Sequence, residues 1–383
     1  MAKKVVYIGA LNDESGPGAA IGKPFAAGKR LLAKQVNAGN SGLLPEGWKI
    51  ELVERDHAYN PQNAVQAYSD IQDQVLFLGT SFGTPNTLPL RDKLTADGLV
   101  AFPASQSSEM ARHQYTPPIG ASYKLEAMRA LDFAVEHAGG AAKVKAAIVS
   151  QGDDFGKDGL DGWTESAKHH GVTIVSKQTI APGQKDFAAV VTALQQSGAN
   201  YVLLTVLPSA SGPIMGTAAQ LKYMPNWLGQ TPAWVDRFFD PKVIPPPVFT
   251  NFYWVTGLTY WGDSVPGMKD FVALHAQHPD APKDFYTLSS YIQGRVQIEA
   301  LKAAIEAKDV TRAGYLKALK GIKTTAGGMA AEQIDLSRFP YETALSVRVL
   351  KPVMDQGGWR VVSDYAPPKA LGAPSPKAAD DSK

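Results

Sequence analysis

The chain contains no cysteine, which removes disulfides, thiolate metal sites and thiol nucleophiles together. That absence is compatible with any compartment. No apolar run approaches the ~18 to 20 residues that a membrane-spanning helix needs. There is no surplus of either charge: 38 basic residues stand against 36 acidic ones, a net of +2, with the signs mixed along the sequence. No polyanionic partner, nucleic acid included, is implied. The start, Met1-Ala2-Lys3-Lys4-Val5, runs straight into a strand-like segment with no apolar h-region and no small-residue cleavage site. It fits either a cytosolic protein or a mature form whose signal peptide was replaced by a start codon.

What is present is enough apolar material for a sizeable core, 44% of residues, with 19% charged. At 383 residues the chain exceeds the roughly 250 to 300 at which a single core usually stops growing, so two lobes are expected. Short β-branched runs alternate with amphipathic helical segments, the pattern of an α/β protein with parallel sheets. Strands are expected at 5–10, 50–53, 75–78 and 99–102, with helices over 19–37, from Asn60-Pro61 and from Thr84-Pro85. After a loop at 114–120 a second series begins, with a helix carrying Leu125, Met128, Leu131 and Val135. Its strands fall at 144–149, 172–180, 201–206 and 227–228, with helices over 159–170, 186–196 and 209–221. The remainder offers strands at 252–255, 344–350 and 359–362, a long helix over 286–307 and a short one capped by Thr311. That is too little for a third lobe, so it is expected to complete the first two by crossing back. The reading is 1–120 plus 257–328 for lobe 1, 121–256 plus 329–366 for lobe 2, and a disordered tail over 367–383.

Gly79-Thr80-Ser81-Phe82-Gly83 follows the third strand and precedes a helix start, and it reads two ways. As G-x-S-x-G it matches the nucleophile elbow of serine hydrolases. As a hydroxyl-rich turn at a strand end it is a place to hold a ligand unchanged. A hydrolase needs a histidine partner for Ser81 and an oxyanion segment. His113, His137, His169, His170, His275 and His278 all read as helix-end or surface residues, and no HGGG-like segment lies upstream. The binding reading is preferred.

Gly16-Pro17-Gly18-Ala19-Ala20-Ile21-Gly22 resembles a dinucleotide fingerprint, but Pro17 removes an amide and Asp56 lies too far on, so a turn and close helix packing fit better. Asp56-His57, Asp153-Asp154 and His169-His170 are adjacent pairs whose side chains diverge; they are read as solvated, with no metal site. Ligands in open α/β sheets sit beyond the carboxyl ends of the strands. There the first lobe offers Ser81, Thr84, Ser105, Gln106, Ser107 and Ser108, groups that suit an anion. The second offers Asp153-Asp154-Phe155-Gly156, Leu207-Pro208-Ser209 and Gln230-Thr231-Pro232-Ala233-Trp234, where Phe155, Leu207 and Trp234 suit an apolar or aromatic body. Trp254, Tyr260 and Trp261 read equally as cleft lining or as core.

Over residues 5–362 the chain resembles the type I periplasmic solute-binding proteins of ABC transporters, in particular the branched-chain amino-acid-binding branch. The resemblance rests on Ile8-Gly9-Ala10, Ser15-Gly16-Pro17 with Ala19 and Gly22, Gly28, the helix end over 33–39, and Asp56 followed by Pro61 and Ala64. It continues through the serine turn at 79–84, Phe102-Pro103-Ala104-Ser105, Asp154-Phe155-Gly156 and Lys185-Asp186-Phe187. It implies two Rossmann-like lobes joined by three crossovers and closing on a ligand by hinge bending. It also implies that Ser81 bonds a ligand carboxylate, that Ser105-Gln106 adds polar contacts, and that Ile21 and Phe155 wall the pocket. Amino-acid binders carry an acidic residue for the ligand ammonium in the loop occupied here by Gln230-Thr231-Pro232, and a tyrosine near Leu207; this chain has neither. Phe82 and Trp234 instead enlarge the apolar lining. A buried ammonium without a carboxylate is costly, so the expected ligand is a carboxylate with a hydrophobic or aromatic body and no amino group.

The expected ligand-binding set is Ile21, Thr80, Ser81, Phe82, Thr84, Ser105, Gln106, Phe155, Leu207, Thr231 and Trp234, with no catalytic residue, metal or cofactor. The expected partners are a small organic acid and the permease and ATPase subunits of an ABC importer, served by a monomer in the periplasm. A sensor, or a binder of a neutral amide, a polyol or a branched-chain amino acid, is the alternative within the fold; a serine hydrolase using Ser81 is the alternative outside it.

Overall fold

The computed structural model describes residues 4–39 and 41–372. The first series runs β1 (Lys4–Asn12), α1 (Ala19–Asn37), β2 (Trp48–Asp56), α2 (Pro61–Ile71), β3 (Phe77–Phe82), α3 (Thr84–Thr87), α4 (Arg91–Asp97) and β4 (Ala101–Ala104). Its strands form a parallel sheet in the order β2-β1-β3-β4. The second runs α5 (Tyr123–Ala138), β5 (Lys145–Gln151), α6 (Asp154–His170), β6 (Thr173–Ile180), α7 (Ala188–Gln196), β7 (Tyr201–Thr205), α8 (Pro208–Gln220), β8 (Asn226–Gln230) and β9 (Phe252–Thr256). Then come α9 (Met268–Ala276), α10 (Phe285–Glu306), α11 (Arg312–Leu319), β10 (Lys323–Thr324), β11 (Ile334–Asp335), β12 (Val347–Val353) and β13 (Gly358–Ala366). β12 and β13 join the second sheet antiparallel, giving seven strands in the order β13-β12-β9-β8-β7-β5-β6. The result is a two-lobed α/β fold in which the chain passes between the lobes after β4, after β9 and after β11.

Side-chain oxygens set the helix starts that face the cleft. Asn60, Ser122, Asp153 and Asp284 accept from the backbone N–H groups of Asn63, Leu125, Gly156 and Tyr286. The long helix α10 lies on α1, where Gly28 leaves no room for a Cβ against the Thr287 carbonyl. Its first residues, Phe285 and Tyr286, pack in the core beside the second sheet, while Leu288, Val296 and Leu301 pack in the core of the first lobe. One helix thus spans both cores at the base of the cleft.

Three expectations from the sequence change. The third strand does not end at Leu78: β3 runs on to Phe82, and the chain turns only at Gly83, whose φ of 87° suits glycine. The polar stretch holding His275 contains helix α9, whose narrow apolar edge of Met268 and Phe271 gives little signal. The segment from residue 367 begins tied down, since the Lys369 N–H donates to Asp132 at 2.8 Å and its ammonium pairs with Glu136 at 2.8 Å. Residues 373–383 of the expected tail lie outside the described residues.

Candidate functional site

Between the lobes lies a cavity enclosing about 1030 Å³ of space free of atoms, part of it open to solvent. The lobes touch around it. Ser209 Oγ donates to the Pro17 carbonyl at 3.1 Å, Gln151 Nε2 to the Tyr59 hydroxyl at 3.2 Å, and the Ser108 N–H to Asp158 at 3.0 Å. The first lobe supplies Ile21, Phe25, Tyr59 and Phe82, the second Phe155, Leu207 and Pro232, α10 Ile292, β11 Ile334, and the first two crossovers Ile119 and Leu258. Phe82 meets Phe25 and Tyr59 edge-on at 6.5 and 6.3 Å, and Tyr123 meets Phe155 at 4.8 Å. The walls are therefore largely apolar and aromatic, and burial of apolar ligand surface would be the main driving force here.

Polar groups gather at the end built by α3 and the first crossover. The hydroxyls of Thr84 and Ser105 bond each other at 2.7 Å, and the buried Tyr123 hydroxyl adjoins them. Gln106 Nε2 donates to the Ile119 carbonyl at 2.9 Å, which fixes the amide and leaves Oε1 buried without a partner among the described residues. Thr231 lines the wall, but its hydroxyl and N–H donate to the buried carboxyl of Glu126 behind it. Burial pushes Glu126 up to about 8 despite those bonds, so it is mostly neutral at pH 7. Glu332, just before β11, is the one charged side chain of the lining among the described residues; its carboxylate accepts from the Leu345 and Ser346 N–H groups at 3.3 and 3.4 Å.

Of the expected set, Ile21, Phe82, Thr84, Ser105, Gln106, Phe155, Leu207 and Thr231 come together around this cavity. Thr80, Ser81 and Trp234 do not. Because β3 continues through Phe82, Ser81 is a strand residue with its side chain on the face away from the cleft, and its Oγ bonds Thr87 Oγ1 at 2.8 Å. Thr80 is fully buried and borders a separate small cavity with Gly9, Lys29 and Gln297. Trp234 is buried in an aromatic cluster with Phe238, Phe249, Phe252 and Trp359, its Nε1 donating to Asp236 at 3.1 Å. Trp254, Tyr260 and Trp261 likewise pack outside the lining, and Trp254 Nε1 donates to the Thr231 carbonyl at 3.2 Å.

Among the described residues no histidine bonds Ser81. His137 is held by Tyr201 and Tyr253, His170 by Asp132, His113 by Thr95 and His275 by the Ala281 carbonyl. The glycine loop at 16–18 serves the Asp13 carboxylate, which accepts from the Gly16 and Gly18 N–H groups at 2.6 and 2.7 Å, so those amides are already occupied. We expect Ser81→Ala to cost about 1 kcal/mol of stability, from the lost hydroxyl pair, and to leave ligand affinity within about twofold. Urea denaturation beside calorimetric titration checks it, and an affinity loss without a stability loss would place the serine in the site.

Tyr59 was legible and missed: it stands in the loop after β2, where the strand-end rule points as much as at the other loops. Tyr123, Tyr286 and Gln293 carry no local signal, because the folding of the crossovers and α10 over the cleft is a long-range event.

Against this geometry stand the known proteins. A family model described as periplasmic binding protein matches residues 5–340. An amino acid binding protein of Pseudomonas aeruginosa is 25% identical over 55% of this chain, which spans 56% of that relative's length. The Leu/Ile/Val-binding protein homolog 3 of Brucella melitensis is 26% identical over 87% of this chain and 89% of its own. The solved structure of a fatty acid ABC transporter substrate-binding protein from Thermomonospora curvata superposes with a TM-score of 0.89 at 21% identity, covering 97% of this chain and 95% of that one. The family match over most of the length and the two-lobed fold lead to one conclusion: this chain belongs to the periplasmic binding protein family, whose members bind solutes rather than transform them.

Proposed function

We propose that this chain is the extracytoplasmic receptor of an ABC importer, and that it carries a small organic carboxylate with a hydrophobic or aromatic body to the permease. The observation that carries this is the interlobe cavity: apolar on most sides, with the hydroxyl pair Thr84–Ser105 and Tyr123 at one end. Such a site buries a hydrocarbon body and leaves one end for hydrogen-bonding a carboxylate. In this proposal the lobes are 1–120 plus 257–341 and 121–256 plus 342–366, with the third crossing after β11 rather than at 328–329 because Ile334, Leu336 and Tyr341 pack in the core of the first lobe, and they close by bending at the crossovers. The protein acts as a periplasmic monomer whose partners are the permease and ATPase subunits. The family supports the transport role, and a relative in fold whose name assigns it fatty acids agrees with the hydrophobic body.

A second reading, an amino-acid receptor, is favoured by two features. Glu332 supplies a carboxylate at the wall and Gln106 Oε1 a buried acceptor, both suited to an ammonium, and the relatives in sequence are named for amino acids. Isothermal titration with octanoate, benzoate, cinnamate and leucine separates the two. We expect an acid to bind at micromolar affinity or tighter, with leucine at least about tenfold weaker because its ammonium is desolvated beside apolar walls. Tight leucine binding with no acid bound would establish the second reading instead.

A further inference from the structure

The lining of the cavity offers a carboxylate hydroxyls and amides but no cation, and one cation stands a side-chain layer behind the wall. Lys29, on α1, is buried, with only 4% of its surface exposed. Its ammonium donates to Gln293 Oε1 at 3.0 Å and to the Ser290 carbonyl at 3.2 Å, and it stands 5.7 Å from the ring centre of Phe25. Both Gln293 and Phe25 line the cavity. No carboxylate of the described residues pairs with it. The groups around it from α10, β1, β2 and β3, namely Gly294, Gln297, Ile8, Ile50, Leu52 and Thr80, carry no charge. The neighbouring cations of α1 are spent elsewhere, Arg30 on Glu14 and Glu54 and Lys34 on Asp280.

We infer that Lys29 is the counter-charge of the bound solute, a positioning residue that makes this cavity prefer an anion to the neutral amide of the same body. The inference rests on the proposed carboxylate ligand and deepens it. An ammonium buried with neutral acceptors but no counter-charge is costly, and burial holds Lys29 well below the ordinary lysine range. A carboxylate arriving on the other side of Phe25 and Gln293 acts across a medium of low dielectric, where charges a layer apart still attract. It stabilises the protonated form of Lys29, so the acid binds together with a proton and the amide does not. The sign follows: affinity for the acid falls as pH rises above the value at which free Lys29 loses its proton.

The test is calorimetric titration of the wild-type protein with octanoate and octanamide, and with cinnamate and cinnamamide, each in two buffers of different ionisation enthalpy between pH 7 and 9. The expected result is an acid bound about tenfold or more tighter than its amide, with buffer-dependent heat that reports proton uptake for the acid alone. Lys29→Met, and Lys29→Gln as a second variant with retained polarity, should bind both members of a pair alike and take up no proton. Equal affinity for acid and amide in the wild type overturns the role of Lys29 while leaving a hydrophobic-solute receptor in place. An acid preference and proton uptake that persist in both variants overturn it too. Failure of all four probes to bind removes the carboxylate reading itself, and the inference with it.

Discussion

Trp234→Ala is expected to lower the free energy of unfolding by about 3–5 kcal/mol and to leave the affinity of the folded protein within about threefold. The indole is fully buried, and five rings surround it: Trp359 at 4.6 Å, Phe239 at 4.9 Å, Phe249 at 5.1 Å, Phe238 at 5.4 Å and Phe252 at 5.5 Å between centroids. Those contacts tie the loop after β8 to β9, to the edge strand β13 and to the short turns after residue 236. Alanine removes the indole and leaves a hole that rings anchored on separate strands are poorly placed to fill. It also strips the Nε1 donor from Asp236, a half-buried carboxyl that then holds one bond fewer. Trp234→Phe keeps a ring in the cluster and should cost about 1–2 kcal/mol. Urea midpoints with titration of a bound acid measure both quantities. A loss of binding with less than about 1 kcal/mol lost in stability would return Trp234 to the ligand, where its place in a strand-end loop suggested it belonged.

The contrast between Trp234 and Leu207 shows how far local sequence reaches. Both stand just beyond a strand of the second lobe, and the strand-end rule points to both. Leu207 precedes α8 directly and faces the cavity; Trp234 lies beyond the turn at Thr231–Ala233, and that extra turn swings the indole under the sheet. Ser81 shows the same limit from another side. In a strand neighbouring side chains point to opposite faces, so ending β3 at Leu78 or at Phe82 decides whether Ser81 is an exposed turn residue or an inward one. The run Gly79-Thr80-Ser81-Phe82 holds too few β-branched residues for that end to be read. The alternation of strands and helices, the caps at Asn60 and Thr311 and the eight lining residues found at strand ends and helix starts were legible because each depends on neighbours within a few positions. Tyr286, Gln293 and Lys29 depend on α10 returning across α1, some 260 positions later in the chain by the bond from Lys29 to Gln293, and no local pattern carries that.

That same helix makes the protein's stability depend on pH. Two carboxyls meet at the start of α10: Asp284, its own cap, accepts from the Tyr286 N–H at 2.8 Å, and Asp236, from the loop after β8, accepts from the Phe285 N–H at 2.8 Å. Around them stand the Lys283 ammonium, the hydroxyls of Tyr260 and Tyr286, and, beside Tyr260, Asp263. Burial is the main cause that raises both acids, Asp236 to about 6 and Asp284 to about 7, and for Asp284 the charge of Asp236 adds to it. A carboxyl that holds its proton more tightly folded than unfolded stabilises the fold fully below its unfolded value, near 4, and that contribution is lost as pH rises through 6 to 7. His57 acts in the opposite sense. Burial lowers it to about 4, so its contribution is present above about 6.5 and lost as pH falls. The raised acids Asp13, Asp153, Asp158 and Glu126 run parallel to the pair, so the wild-type slope alone does not isolate it. The difference between wild type and Asp284→Asn does. The amide keeps an acceptor for the Tyr286 N–H and cannot ionise, so the variant should gain on the wild type by about 2 kcal/mol between pH 5 and pH 8, read from urea midpoints at each pH. Parallel stability curves for the two proteins would show that Asp284 is already ionised at pH 5, and that the helix start, with its unpaired N–H groups and favourable dipole, holds both charges against the cost of burial.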